Sequence, residues 1–253
     1  MRPLHEGTRE LLHKCEQLNS SLKIIKANNP LASPNGYYPY GTLDIVPKIL
    51  SILDQHDIDL EEHVRDRTIL DLGAGDGDLS FFFELLHPKK IVAVDWGPTN
   101  NNNMEGCEVL KKALGSSVQL MNTDIHSFDF EEFPIFDTVV CFGFLYHSPH
   151  PLFVLKNLSE KSRNLFLTSK VFDSDKSYAY FYDIGECNRD ATNWWCFTTK
   201  ALELMLKRTG FDLVLMERLD SNIGESDPVD PRLDGRVFAY AKSMVRSETH
   251  LVS

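Results

Sequence analysis

The stretch Ile69-Leu-Asp-Leu-Gly-Ala-Gly-Asp-Gly-Asp78 carries an apolar run straight into three glycines at alternate positions. A short apolar run closed by glycines reads as a buried strand. Leu79 to Leu86 is apolar again and reads as the helix that follows. Glycines at such a turn permit left-handed backbone and let a ligand lie against bare peptide groups. The same glycines also suit a turn that needs them only for its own geometry, so the loop alone is a weak signal.

Working outward, Ile91 to Val94 reads as a second strand, and it runs into Asp95, 22 residues after Gly73. An acid at that separation accepts hydrogens from both hydroxyls of a ribose. Standing alone, it would read as a loop acid or a helix cap. Asp124 follows a third expected strand, Val118 to Met121. It either accepts an adenine amine or caps a helix, and the two readings stand level. Asp71 lies inside the first strand, where a carboxylate repels a pyrophosphate and favours a cationic sulfonium or amino group. Three acids at successive strand ends therefore point to S-adenosylmethionine rather than NAD, and an NAD-dependent oxidoreductase is disfavoured.

Further helices are expected over Thr8 to Leu22, Thr42 to His56, Met104 to Leu114, Pro151 to Ser159 and Thr198 to Thr209, the last stopped by Gly210. Further strands are expected at Phe136 to Phe142, Asn164 to Ser169, Phe211 to Met216 and Arg236 to Lys242. Asn100 to Asn103, after Gly97 and Pro98, reads as a loop. Strands alternating with helices give an α/β class, a doubly wound, Rossmann-like, mostly parallel sheet with N-terminal helices. The final two strands lack an intervening helix and are expected to pair as a C-terminal antiparallel hairpin.

With 253 residues, 42% hydrophobic and 25% charged, the chain has material for one substantial core, and wholesale disorder is excluded. No run approaches the roughly 18 to 20 apolar residues of a membrane span. The charged start does not read as a signal peptide. A cytoplasmic protein without a membrane partner is expected. Acids exceed bases by 37 − 26 = 11. Such a balance repels phosphate backbones, which disfavours extended nucleic-acid binding unless the bases cluster locally. Five cysteines without a CxxC pair argue against a disulfide framework or zinc site. The acids from Asp124 to Asp137 read as a solvated face, and no metal is expected.

The motif order Leu70-Asp-Leu-Gly-Ala-Gly-Asp-Gly77, Val94-Asp95, Thr123-Asp-Ile125 and Phe136-Asp-Thr-Val-Val-Cys-Phe142 resembles class I S-adenosylmethionine-dependent methyltransferases. The resemblance covers about Thr68 to Lys242. It implies a seven-stranded sheet whose last strand is antiparallel. It divides the chain into an N-terminal helical extension, 1–67, packed on a methyltransferase domain, 68–253. It assigns the cofactor to Asp71, Gly73, Gly75, Gly77, Asp95, Trp96, Asp124, Ile125, Phe142 and Gly143. Phe142-Gly-Phe-Leu-Tyr-His147 with Pro149 and Pro151-Leu152, Asn193-Trp-Trp-Cys-Phe197 and Arg236-Val-Phe-Ala-Tyr240 are similar to the wobble-uridine tRNA carboxymethyltransferase group and its relatives. That narrower resemblance implies carboxy-S-adenosylmethionine as the alternative cofactor and tRNA as the alternative substrate. It sets Tyr146 and Arg236 on the extra carboxylate, and Lys23 or Lys26 as an upstream lysine.

Tyr146 and His147 follow the fourth strand, where carboxyl ends of strands face a ligand crevice in this class of sheet. Tyr146 reads as orienting a substrate. His147 reads as a helix cap, with a general base as the alternative. Arg236 either joins the site or pairs with Asp234. Tyr178, Tyr180, Phe181, Tyr182, Trp194, Trp195 and Phe197 form either an aromatic lid or a satellite core. Tyr37, Tyr38 and Tyr40 are candidates for the same lid. The leading reading is methyl transfer from S-adenosylmethionine to a small acceptor, with Tyr146 and Arg236 at the transfer site. The alternatives are tRNA carboxymethylation and a non-catalytic nucleoside-binding protein.

Overall fold

The computed structural model describes residues 3–39, 41–126, 130–172, 174–219 and 235–247. The chain forms two compact units, Met1–Asp124 and Ile125–Ser253.

The first unit opens with α1 (Glu6–Asn28), whose buried Leu11, Cys15, Leu18 and Leu22 fall three or four residues apart and so line one face. Glu6 in its first turn and Lys26 in its last complement the helix dipole. Asp54 of α2 (Val46–Gln55) is buried and accepts the Thr8 hydroxyl at 2.6 Å and the His5 amide at 3.0 Å, which pins the start of α1 to α2. The expected helix over Thr42 to His56 begins as a 3-10 turn, Thr42–Ile45, and becomes α-helical at Val46, just before Pro47. A short α3 (Leu60–Val64) has Asp59 as its cap, accepting the Glu61 amide at 2.8 Å. Then follow β1 (Thr68–Leu72), α4 (Asp78–Glu84), β2 (Lys90–Asp95), α5 (Glu105–Leu114) and β3 (Gln119–Asn122). β2 lies between β3 and β1, and both pairings are parallel, with Leu72 opposite Val94 and Asp95 opposite Asn122. The register sets the ends of β1 and β2 side by side, which is what later brings Gly75 to Asp95. The N-terminal helices belong to the same compact unit as these strands.

The second unit contains β4 (Phe136–Phe142), a 3-10 turn at Leu145–His147, α6 (Pro151–Lys161), β5 (Ser162–Phe172), β6 (Ala179–Phe181), β7 (Trp195–Thr198), α7 (Thr199–Arg208), β8 (Phe211–Leu219), β9 (Gly235–Ser243) and α8 (Met244–Ser247). β5 is parallel to β4 and antiparallel to β9, and β8 and β9 pair antiparallel as the expected hairpin. The pairing buries a stack of aromatic rings on one face: Phe166 lies 4.8 Å from Tyr240 and 6.1 Å from Phe238, centroid to centroid. The Thr198 side chain caps α7 by accepting the Ala201 amide at 3.0 Å, and Gly210, at φ 101°, ends the turn beyond it. Beyond the expected strands, β7 continues along the end of β5 through Val171 and Phe172, and β6 pairs antiparallel to β7. No helix among the described residues is long and apolar enough to cross a membrane. All five cysteines are free and buried.

Candidate active site

In the first unit the glycine loop is built from three left-handed residues, Gly73 (φ 78°), Gly75 (φ 60°) and Gly77 (φ 84°). Gly77 has a second reason to be glycine. A Cβ there would sit 2.7 Å from Cys107 Sγ, closer than real contacts allow, and a tight 3.0 Å from the Phe81 ring. The Gly73 and Ala74 amides donate to Val94 O at 2.9 and 3.1 Å, which anchors the loop to β2. Gly75 N donates to Asp95 Oδ2 at 2.7 Å, and Trp96 N donates to Asp95 Oδ1 at 2.7 Å. Burial pushes the Asp95 carboxyl up, and these hydrogen bonds oppose that shift. A carboxylate has about four acceptor positions, so Asp95 retains capacity for ligand hydroxyls.

Asp71 is 2% exposed, and its Oδ2 accepts the Ser80 hydroxyl at 2.6 Å, tying β1 to α4. Burial pushes its carboxyl up to about 7 against the pull of that bond, and the Asp95 charge adds to the rise. Asp76 and Asp78 are also buried. Asp76 accepts the Tyr38 amide at 2.8 Å and Asn102 Nδ2 at 2.8 Å. Lys26 Nζ stands 2.8 Å from Asp78 Oδ2 and 3.4 Å from Asp76 Oδ2. Of the two upstream lysines, Lys26 is thus engaged at the loop, and Lys23 is exposed on α1.

The asparagine run is structural glue. Asn100 Oδ1 accepts the Met104 amide at 2.9 Å and its Nδ2 donates to Gly75 O at 3.3 Å, while Asn102 Oδ1 accepts the Gly106 amide at 3.1 Å. Asn101 and Asn102 both donate to Gly36 O at 3.1 Å, and Asn101 N donates to the Tyr38 hydroxyl at 3.1 Å. The segment before α2 is strapped down by these bonds, with the Tyr38 ring 3.5 Å from where a Gly75 Cβ would be. Of the three N-terminal tyrosines, Tyr38 covers the loop, Tyr37 bonds Asn29 O at 2.7 Å, and Tyr40 lies outside the described residues. Trp96 is 39% exposed directly after β2, and Asp124 ends the unit two residues past β3.

In the second unit, Ile125 is buried, and Phe142 closes β4 with its ring edge-on to Phe238 at 6.2 Å. Gly143 is left-handed (φ 76°), and a Cβ there would lie 3.4 Å from the Tyr146 hydroxyl and 3.8 Å from Arg236 Nη1. Arg236 Nη2 donates to the Tyr146 hydroxyl at 3.4 Å, and its guanidinium carbon lies 5.7 Å from the centroid of the same ring. Tyr146 and Arg236, far apart in sequence, are therefore neighbours. Asp234, the alternative partner of Arg236, lies outside the described residues.

His147 is not a helix cap. His150 precedes α6, while His147 Nδ1 lies 2.9 Å from Thr192 Oγ1. The Thr192 hydroxyl donates its hydrogen to Asp190 Oδ1 at 2.6 Å, so it has only a lone pair left for the imidazole. This assigns the neutral tautomer with hydrogen on Nδ1 and a lone pair on Nε2. Burial holds the imidazole below the usual histidine range, with Arg236 and Lys170 adding to the fall, and Asp190 and Thr192 opposing it. A neutral, oriented imidazole next to Tyr146 (ring centroids 4.4 Å apart) is the arrangement a general base needs. Sequence reasoning missed the relay because Thr192 and Asp190 sit in a loop about 45 residues from His147, with no pattern linking them.

The aromatic segment divides. Tyr182 is buried with Phe172, Cys187 and Cys196 as a satellite core. Tyr178, Tyr180, Phe181 and Trp194 are exposed, with Phe181 5.9 Å from Trp194 and 5.0 Å from Trp195.

A family model described as "Methyltransferase domain" matches residues 44–215. The chain belongs to the methyltransferase domain family. The match takes in both the glycine loop and Tyr146 with His147. The fold is also that of solved structures of low sequence identity. The N-terminal domain of EvdMO1, solved in the presence of SAH and D-fucose, is 16% identical over 90% of this chain and 96% of its own, with a TM-score of 0.59. The [4+2]-cyclase SpnF is 15% identical over 90% and 93%, with a TM-score of 0.58. An S-adenosylmethionine-dependent methyltransferase from Clostridium acetobutylicum is 16% identical over 78% and 98%, with a TM-score of 0.51. No curated protein sequence matches the chain. A cyclase among methyltransferase-like folds means that the chemistry of this family member has to be argued from its site.

Proposed function

We propose that this methyltransferase-family protein transfers a methyl group from S-adenosylmethionine to a small-molecule acceptor. The observation that carries the proposal is the join between Gly75 N and Asp95 Oδ2, at 2.7 Å, inside a loop of three left-handed glycines. It presents bare backbone and a carboxylate with spare acceptor positions, which suits a nucleoside ribose. The buried acids Asp71, Asp76 and Asp78 around it suit a cationic ligand and oppose a pyrophosphate.

S-adenosylmethionine supplies an electrophilic methyl group on a sulfonium. The chain's own residues have to hold the acceptor in line with that methyl and take up a proton from it. In this reading His147 takes the proton. Its Nε2 lone pair accepts it, and the Thr192–Asp190 relay stabilises the imidazolium that results. Tyr146 orients the acceptor. The exposed rings of Phe181 and Trp194 are suited to cover a planar acceptor and exclude water.

Calorimetry with S-adenosylhomocysteine is the test. Wild type is expected to bind, and Asp95→Ala to bind about 2 to 4 kcal/mol more weakly, through loss of charge-assisted hydrogen bonds. Unchanged affinity in a folded Asp95→Ala variant would remove the cofactor assignment.

The contact between Arg236 and Tyr146 favours one second reading, in which the pair holds the extra carboxylate of carboxy-S-adenosylmethionine and the protein carboxymethylates tRNA. The net charge of −11 opposes the tRNA half of that reading. Competition between the two cofactors decides it, since only this reading expects the carboxylated form to bind more tightly.

A further inference from the structure

Between the end of α1 and the 3-10 turn at Thr42 runs a segment, residues 30–39, with neither helix nor strand and without a single buried residue. The elements on either side differ from it: α1 buries Leu18 and Leu22, and the 3-10 turn buries Leu43 and Ile45. Apolar burial therefore does little to hold the segment, and its attachments are chiefly polar. The Ala32 and Ser33 amides donate to Glu105 Oε1 and Oε2 at 2.7 and 2.9 Å. Asn35 Nδ2 donates to Asn101 O at 2.8 Å. Gly36 O accepts from Asn101 and Asn102, and the Tyr38 amide donates to Asp76. Water replaces each of these bonds when the segment lifts, which sets it at the low end of local stability.

The partners belong to two different connections. Asp76 lies in the glycine turn after β1, while Asn101, Asn102 and Glu105 lie on the way from β2 into α5. Those two connections meet where Gly75 N bonds Asp95. A segment tied to both crosses the opening between them. It carries the Tyr38 ring to 3.5 Å from where a Gly75 Cβ would stand, in contact with the bare peptide proposed to receive the nucleoside. The Tyr38 hydroxyl accepts the Asn101 amide at 3.1 Å, which pins the ring there. A ring in that place obstructs a nucleoside on its way in and packs on it once it is seated.

We infer that Tyr38 is a cofactor-contacting residue carried on a polar latch, residues 30–39, which lifts to admit S-adenosylmethionine and closes on it, with Glu105 as the catch. The inference rests on the reading that the glycine loop takes this cofactor, and it adds the residue and the motion. Entry needs the open form, so apparent association is slowed by the fraction of time that the latch spends open. Weakening the catch speeds association as well as dissociation. Loss of an ordinary ligand contact acts mainly on dissociation.

The test is stopped-flow binding of S-adenosylhomocysteine, followed by tryptophan fluorescence because Trp96 stands next to Asp95. Wild type is compared with Glu105→Ala and Tyr38→Ala. Glu108→Ala is the control, since it removes the other acid from the first turn of α5. Glu105→Ala is expected to raise the association rate constant roughly 5-fold or more, through loss of two hydrogen bonds from the closed form, and to raise dissociation with it. Tyr38→Ala is expected to raise both rate constants too, and it covers the case in which Glu105→Ala does not fold. Glu108→Ala is expected to match wild type. Hydrogen exchange of the wild-type protein reads the motion itself: the Ala32, Ser33 and Tyr38 amides should exchange ahead of those of β1, and saturating S-adenosylhomocysteine should slow them roughly 10-fold or more. Unchanged association in either variant that folds overturns the inference. So does exchange of the three amides only in step with β1, or ligand binding that leaves their exchange as it was. Wild type that does not bind S-adenosylhomocysteine sinks the cofactor reading and the latch together, whereas binding with unaltered variant kinetics sinks the latch alone.

Discussion

Lys26→Met is the perturbation whose size the structure constrains best. The substitution keeps the long stem that packs along α1 and removes only the ammonium. In the native protein that ammonium lies 2.8 Å from Asp78 and 3.4 Å from Asp76, with side chains 18% exposed for Lys26, 10% for Asp78 and 2% for Asp76. Breaking a fully buried pair by removing one partner costs about 3 to 5 kcal/mol. Lys26 is partly wet, and Asp76 keeps its bonds from Tyr38 and Asn102, so the figure should fall to about 2 to 4 kcal/mol near pH 8. In a chain of this size that corresponds to a fall in Tm of roughly 5 to 15 °C. The pH dependence is the stricter test. Burial raises the Asp78 carboxyl above its unfolded value, and Lys26 is what lowers it. Ionised Asp78 therefore destabilises the fold above its native pKa, and the penalty fades as pH falls through that value. Removing Lys26 raises the native pKa further. The difference between variant and wild type should be largest near pH 8 and shrink towards pH 5. Denaturant melts at those two pH values measure it. A loss below about 1 kcal/mol, or one of equal size at both, would refute an electrostatic role for Lys26.

Other outcomes follow from the same geometry. Gly77→Ala forces a side chain into left-handed backbone and against Cys107 and Phe81, so a loss of about 2 to 5 kcal/mol is expected in thermal melts. His147→Gln should lower kcat by roughly 10² to 10⁴ with little change in S-adenosylhomocysteine affinity. Because burial holds His147 below the usual range, wild-type kcat should rise with pH and level off below the ordinary histidine value, and His147→Gln should lose that rise. A gel-shift titration with tRNA at physiological salt should show no sub-micromolar complex, given the net charge of −11.

The sequence was most legible where an apolar run met glycine. β1 and β4 begin and end where the residues predict, and the hairpin of β8 and β9 follows from two runs with no helix between them. β6 and β7 escaped because they are short, and all three residues of β6 are exposed, so neither carries an alternating pattern. At the site, Asp95 was legible through its distance from Gly73, because the spacing of a βαβ turn is local. The pairing of Lys170 with Arg236 was not, because a register between β5 and β9 is written nowhere in either strand alone. His147 was misread for the same reason, since its partners Thr192 and Asp190 reach it only through the folding of a long loop.

The asparagine run has a practical consequence for anyone re-engineering the protein. Surface loops rich in polar residues are ordinarily the first choice for an inserted tag, a fluorophore or new chain termini. Asn100 and Asn102 belong to such a loop by composition, yet their side chains clasp the start of α5, the glycine turn and the segment around Gly36. Splicing there would open a three-way clasp rather than lengthen a tether, and permissive insertion points are better sought elsewhere on the chain.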